Sequence, residues 1–251
     1  MKMKEFNSKT ILITGANGVL GKKIVKNFSK NKCKLILIDY TKPKKLKNSF
    51  SYKCDFTKQD ERELIFKRIQ KEHKKIHIVI NNAGYTGTIK DKNWITSFDK
   101  QDLKNWNNAF GVNLESIFHL VKILNRNIKI CGGNIINIGS IYSILSPDPS
   151  LYKGLRMSSP AAYTSSKGGL LQLTKWLAVN LAPKIRVNMI SSIGIKRNQP
   201  KKFVKRYLNK IPLKKMCKEE DIINVINFLS SKKTNMITGQ NYIIDGGYSI
   251  L

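Results

Sequence analysis

Long apolar runs are missing from this sequence: no stretch approaches the roughly 20 apolar residues that a membrane-spanning helix requires, so no membrane partner is expected. Acidic residues are scarce as well, 16 Asp+Glu against 46 Lys+Arg, for a formal net charge of +30. Arginine occurs only at Arg62, Arg68, Arg126, Arg156, Arg186, Arg197 and Arg206, so the surplus is lysine, scattered among many Asn and Ile. Lys, Asn and Ile share A/T-rich codons. A compositional bias accounts for the charge without a polyanion surface, and clusters such as Lys42, Lys44, Lys45 and Lys47 read as solvated loop. Nucleic acid is therefore not expected as a partner. The four cysteines Cys33, Cys54, Cys131 and Cys217 lie far apart with no C-x-x-C pair, which excludes a disulfide framework and a zinc finger. His73, His77 and His119 show no ligand spacing, so no metal is expected, and the reducing cytoplasm is the expected compartment.

What is present suits one folded unit spanning 1–251, since 251 residues at 41% hydrophobic content supply one sizeable core. Short apolar runs at 10–14, 34–39, 76–81, 134–139, 185–190 and 242–245 alternate with helical candidates near 19–30, 58–73, 101–128, 161–182 and 219–231. That alternation predicts an α/β fold of the Rossmann type: a doubly wound parallel sheet with helices on both faces, ligands binding at the carboxyl ends of its strands.

The residues after each run carry the chemistry. Thr14-Gly15-Ala16-Asn17-Gly18-Val19-Leu20-Gly21 joins the first strand to a helix, where glycines permit a tight turn and let backbone approach a pyrophosphate. Asp39 ends the next strand about 20 residues on, where a carboxylate accepts bonds from a ribose and repels a 2′-phosphate. NAD is favoured, with NADP left open by the neighbouring Lys42, Lys44 and Lys45. Asn81-Asn82-Ala83-Gly84 ends the third run and reads either as an ordinary turn or as small residues against a cofactor.

Tyr163 and Lys167 stand four apart and share a helix face. Acid/base work near neutrality requires lowering a phenol by about 3 pKa units, about 4 kcal/mol, and a cation about 4 Å away supplies roughly that much. The alternative is a core tyrosine with the lysine lying over it. Asn113 falls within the apolar stripe of Leu103, Trp106, Phe110, Leu114, Ile117, Val121 and Leu124, so its amide needs partners: local backbone, a water or a catalytic side chain.

Taken in order, these segments resemble the short-chain dehydrogenases/reductases over nearly the full chain, together with Cys54-Asp55-Phe56-Thr57, Val112-Asn113-Leu114, Asn137-Ile138-Gly139-Ser140, Ile185-Arg186-Val187-Asn188, Thr238-Gly239-Gln240 and Asp245-Gly246-Gly247. The resemblance implies an NAD(P)-dependent oxidoreductase moving a hydride to or from a secondary alcohol or ketone. It implies a catalytic tetrad of Asn113, Ser140, Tyr163 and Lys167. Tyr163 would exchange the proton, Ser140 bond the substrate oxygen, Lys167 acidify Tyr163 and hold the ribose, and Asn113 anchor a relay water. It implies cofactor contacts from Thr14, Gly15, Asn17, Gly18, Leu20, Gly21, Asp39, Asp55, Asn81, Ala83, Gly84, Tyr163 and Lys167, and a homodimer or homotetramer with the Tyr163 helix in an interface.

Three features depart from the family pattern. The glycines are spaced as in its longer, sugar-nucleotide-modifying branch, and Ser191-Ser192-Ile193-Gly194 replaces the usual Pro-Gly. The stretch near 141–162 is longer than usual and carries Pro147-Asp148-Pro149, Tyr152, Lys153 and Arg156. It reads as a loop insertion beside the active site, either structural or with Lys153 or Arg156 contacting an anionic substrate group. It also resembles oxidoreductases of flagellin-glycan and nonulosonic-acid pathways, implying a small-molecule substrate of the carbohydrate class. The rivals are a sugar-nucleotide epimerase or dehydratase with tightly bound NAD, and a silent cofactor-sensing or nucleic-acid-binding relative.

Overall fold

The computed structural model describes residues 4–87 and 91–251. Seven strands form one all-parallel sheet: β1 (Thr10–Thr14), β2 (Lys34–Asp39), β3 (Ser49–Lys53), β4 (Ile78–Asn81), β5 (Asn134–Ile138), β6 (Arg186–Ser192) and β7 (Asn241–Ile244), in the spatial order β3-β2-β1-β4-β5-β6-β7. The helices are α1 (Val19–Ser29), α2 (Gln59–Glu72), α3 (Leu103–Phe110), α4 (Ser116–Lys129), α5 (Ala161–Leu181), α6 (Lys201–Asn209) and α7 (Glu219–Ser230). This is the single-domain Rossmann-type α/β fold that the alternation predicts.

The central strands are buried throughout because both faces are covered. Alternate residues feed two cores: Ile11, Ile13, Leu35 and Leu37 pack toward α1 and α7, whereas Leu12, Ile36, Ile38 and Val79 face the layer of α2 and α4. The strand order reverses between β1 and β4, and such a switch point opens a crevice at the carboxyl ends of the strands. Two elements were not predicted. β3 is an edge strand that buries only Ser49 and Tyr52, and α6 is a Lys-rich helix that buries only Phe203 and Tyr207.

The helical candidate 101–128 is two helices joined by a π-turn, Gly111–Glu115. Arg62 of α2, only 3% exposed, holds that turn: its guanidinium donates to the Gly111 carbonyl at 2.8 Å and to the Glu115 carboxylate at 3.2 Å. The extra residue per turn directs Asn113 inward. Among the described residues no helix is long and apolar enough to cross a membrane. Arg62→Met removes the buried guanidinium from the Gly111 carbonyl, which keeps only the Ser116 N–H, so urea unfolding should show a loss of about 2 kcal/mol; an unchanged midpoint contradicts the bracing role.

Candidate functional site

The crevice at the switch point is a cleft of about 1310 Å³, larger than one drug-sized ligand fills. One end is built from glycine. Gly15 has φ +65°, and a Cβ there would lie 2.8 Å from the Ala83 Cα, while a Cβ on Gly21 would lie 1.9 Å from the Gly15 carbonyl oxygen. Neither position tolerates a side chain. Gly18 caps α1 without a side-chain bond, so the first-turn N–H groups of this 11-residue helix, which have no intrahelical acceptor, border the cleft at Val19, Leu20 and Gly21. Such N–H groups could hold an anion such as a pyrophosphate.

Asp39 closes the adenosine end. Its carboxylate accepts the Asn17 backbone N–H at 2.9 Å and the Thr41 N–H at 3.3 Å, while the Asn17 amide donates to the Thr41 carbonyl at 2.8 Å. Asp55 borders the same end, its carboxylate accepting both the N–H and the hydroxyl of Thr57. Lys42, Lys44 and Lys45 are exposed and do not border the cleft. Gly15, Asn17, Gly18, Leu20, Gly21, Asp39, Asp55, Ala83 and Gly84 all line it.

Thr14 and Asn81 stand behind the cleft wall rather than in it. The Thr14 hydroxyl accepts the N–H groups of Asn82 and Ala83, each at 3.0 Å, latching the β4 loop to β1. The Asn81 amide donates to Asn137 at 2.8 Å, and Asn137 donates to Thr174 at 2.8 Å, which ties β4, β5 and α5 together below the floor.

At the other end Ser140, Tyr163 and Lys167 converge. Ser140 follows β5, and α5 presents Tyr163 and Lys167 one turn apart. The nearby Ser140 hydroxyl favours the ionised phenol of Tyr163, but burial dominates and pushes it above its ordinary value of 10.0. Lys167 is 5% exposed, its Nζ donates to the Ile138 carbonyl at 3.0 Å, and burial pulls it from 10.5 down to about 8. The ammonium lies 6.0 Å from the Tyr163 ring centroid. For both groups desolvation is the largest cause of the shift, raising the phenol and lowering the ammonium.

Asn113 is fully buried and touches the site only indirectly. Its amide donates to Ser166 at 2.9 Å and to the Tyr85 carbonyl at 3.2 Å, and accepts the Tyr85 N–H at 2.7 Å. Both amide hydrogens are committed to protein, so the side chain has none left for a water; it fixes the 84–86 loop against α5.

Lys153 and Arg156 are exposed and off the cleft. The Lys153 carbonyl accepts from Arg206 at 2.7 Å, which turns this part of the loop so that Tyr152 and Met157 face inward instead. The substrate end is aromatic: Tyr85, Trp94, Tyr142, Tyr152, Phe203 and Tyr207 line it, with one arginine, Arg197, paired to Glu219 at 2.6 Å. None of these was singled out as a site residue, although Phe203 and Tyr207 at helical spacing in a lysine-rich stretch are a usable signal. Tyr207 also accepts the Gly194 N–H at 3.0 Å, so α6 holds the loop that lacks the family's Pro-Gly.

The chain belongs to the short-chain dehydrogenase/reductase family: a family model described as enoyl-(acyl carrier protein) reductase matches residues 15–249. It is 34% identical over 257 residues to a 3-oxoacyl-(acyl-carrier-protein) reductase of Buchnera aphidicola, covering 96% of this chain and 97% of the relative. The post-translational flagellin modification protein A of Campylobacter coli is 29% identical, with 97% and 99% covered. The crystal structure of a short-chain dehydrogenase from Leptospira borgpetersenii with bound NAD+ superposes with a TM-score of 0.87 at 33% identity, covering 98% of this chain and 94% of that one. The protein is thus an NAD-type oxidoreductase of this family.

Burial of the Lys167 ammonium has a measurable consequence. Between about pH 8 and pH 10.5 the unfolded chain keeps a proton on this lysine that the folded chain has lost, so its contribution to stability rises with pH across that window. Urea unfolding of the wild type and Lys167→Met should show the variant's relative stability falling by about 3 kcal/mol from the lower to the upper end of the window. A pH-independent gap contradicts the shift.

Proposed function

We propose that this protein transfers a hydride between NAD(H) and the carbinol or carbonyl carbon of a small, hydroxyl-bearing substrate of the sugar class, with Ser140, Tyr163 and Lys167 as its catalytic residues and Asn113 as their support. The observation that carries this reading is the convergence of Ser140 and Tyr163 with the buried Lys167 ammonium, one helical turn from Tyr163, at the far end of a glycine-bordered cleft.

When bound, NAD supplies a hydride donor or acceptor at its nicotinamide. The first turn of α1 with Gly15 and Gly18 would hold the pyrophosphate, Asp39 the adenosine ribose, Asp55 the adenine end, and Lys167 the nicotinamide ribose. Ser140 donates to the substrate oxygen and fixes it beside the Tyr163 hydroxyl. Tyr163 passes its proton to that oxygen in reduction and recovers it in oxidation. Burial keeps the phenol protonated in the empty cleft, which suits the reducing direction. Lys167, near its own midpoint at about 8, carries most of its charge at neutrality and opposes build-up of a second proton on the site.

The aromatic substrate end and the likeness to the flagellin-modifying relative support a sugar-class substrate. Recognition of a substrate anion by Lys153 or Arg156 draws no support from their outward placement. A second reading, reduction of a 3-oxoacyl thioester, is favoured by the 34% identity to reductases of that name. Phe118, Trp176 and Val179, exposed on α4 and α5, support a homo-oligomer through the helix that carries Tyr163.

Tyr163→Phe removes the transferable proton and leaves the cofactor end intact. Oxidation of NADH in the presence of a reducible ketone should fall by at least about a hundredfold, while the NADH dissociation constant stays within severalfold. Near-normal turnover contradicts the assignment. Because Asp39 repels a 2′-phosphate and Lys42, Lys44 and Lys45 do not line the cleft, NADH should bind about tenfold or more tightly than NADPH, and Asp39→Ala should narrow that ratio; equal affinities in the wild type overturn the preference.

A further inference from the structure

The stretch between Ser140 and α5 is held far more firmly than a surface loop requires. Asp148 accepts the Ser150 N–H at 2.8 Å and pairs with Lys210 at 2.6 Å. Arg206 of α6 donates to the carbonyls of Leu151, at 3.2 Å, and Lys153, at 2.7 Å. Tyr152 stacks on Phe203 at 5.8 Å between ring centroids, and Phe203 stacks on Tyr207 at 5.1 Å. All of these contacts fix one side chain that reaches the cleft, Tyr152.

Its hydroxyl meets that of Tyr142 at 2.6 Å. Tyr142 is itself tied to the catalytic end, because its backbone N–H donates to the Ser140 hydroxyl at 3.2 Å. Among the described residues neither phenol oxygen has another hydrogen-bond partner. Burial pushes Tyr152 up to about 12 and Tyr142 higher still, so both phenols are neutral. Two neutral hydroxyls carry two hydrogens. One lies between the oxygens; the other points away from the pair and has no acceptor in the protein.

We propose that the paired hydroxyls of Tyr142 and Tyr152 recognise a hydroxyl group of the substrate beside its reacting carbon, an inference that rests on the oxidoreductase reading given above. The pair presents one free O–H donor and unused oxygen lone pairs, the complement of an alcohol, which both donates and accepts. A plain hydrocarbon at the same place leaves that donor unpaired in a partly dry site. The stacked rings of Tyr152 and Phe203 add a flat apolar wall alongside. The loop therefore selects its substrate through a tyrosine rather than through its two exposed cations.

The test compares matched ketones as NADH-dependent substrates: dihydroxyacetone against butanone, and 2-hydroxycyclohexanone against cyclohexanone. The readout is the ratio of kcat/KM for the hydroxylated member to that for the plain one, in the wild type, Tyr142→Phe and Tyr152→Phe, with the NADH dissociation constant measured for each as a check on folding. The wild type should favour the hydroxylated members, and either variant should lower the ratio by roughly three- to tenfold, the worth of one neutral hydrogen bond. Turnover with no hydroxyl preference, or a preference that both variants retain, overturns this inference and leaves the oxidoreductase reading standing. NADH binding without turnover of any ketone contradicts both.

Discussion

A buried ammonium with one protein acceptor is the constraint around which this molecule is arranged. Lys167 is 5% exposed and donates to the Ile138 carbonyl, the last residue of β5. Isolated charge in such a place is costly, and the fold keeps it there by anchoring every neighbour. The Asn81–Asn137–Thr174 chain fixes the floor, Asn113 fixes the 84–86 loop, and Arg62 fixes the π-turn that aims Asn113. These polar bonds join β4, β5, α5, α2 and the π-turn and restrict the ways in which the site can relax.

The chemistry follows from that rigidity. Tyr163 stays protonated because burial outweighs the opposing influence of the Ser140 hydroxyl. A phenol in this state is a proton donor in waiting, and a further positive charge in the cleft converts it into a usable acid/base group. In the proposed reaction the glycine turn and Asp39 would select the molecule whose cationic ring delivers that charge. Cofactor recognition and proton transfer are in this sense one electrostatic problem, solved at opposite ends of the same crevice.

Much of this was legible in the residue order. Runs such as Thr10–Thr14 and Asn134–Ile138 announce strands buried on both faces, and the Gly15, Gly18 and Gly21 spacing announces the phosphate turn. The edge strand β3 was not legible, since Ser49–Lys53 buries only Ser49 and Tyr52, pairs with a single neighbouring strand and looks like polar loop. The π-turn was hidden because a five-residue change of helical pitch leaves no trace in a 3.6-residue stripe. Lys153 and Arg156 misled because charge is visible in a sequence while side-chain direction is not. Their direction is set by Arg206, 53 residues beyond Lys153, and by stacking on α6. The tyrosines that do reach the cleft converge from separate segments, and only the folded chain shows them together.

The most direct examination of this electrostatic account is a phenolate absorbance titration of the wild type, with the Tyr163→Phe signal subtracted, carried out with and without saturating NAD+. The Tyr163 hydroxyl should ionise about one pH unit or more lower when NAD+ is bound than when the cleft is empty. Ionisation at the same pH in both states would contradict it.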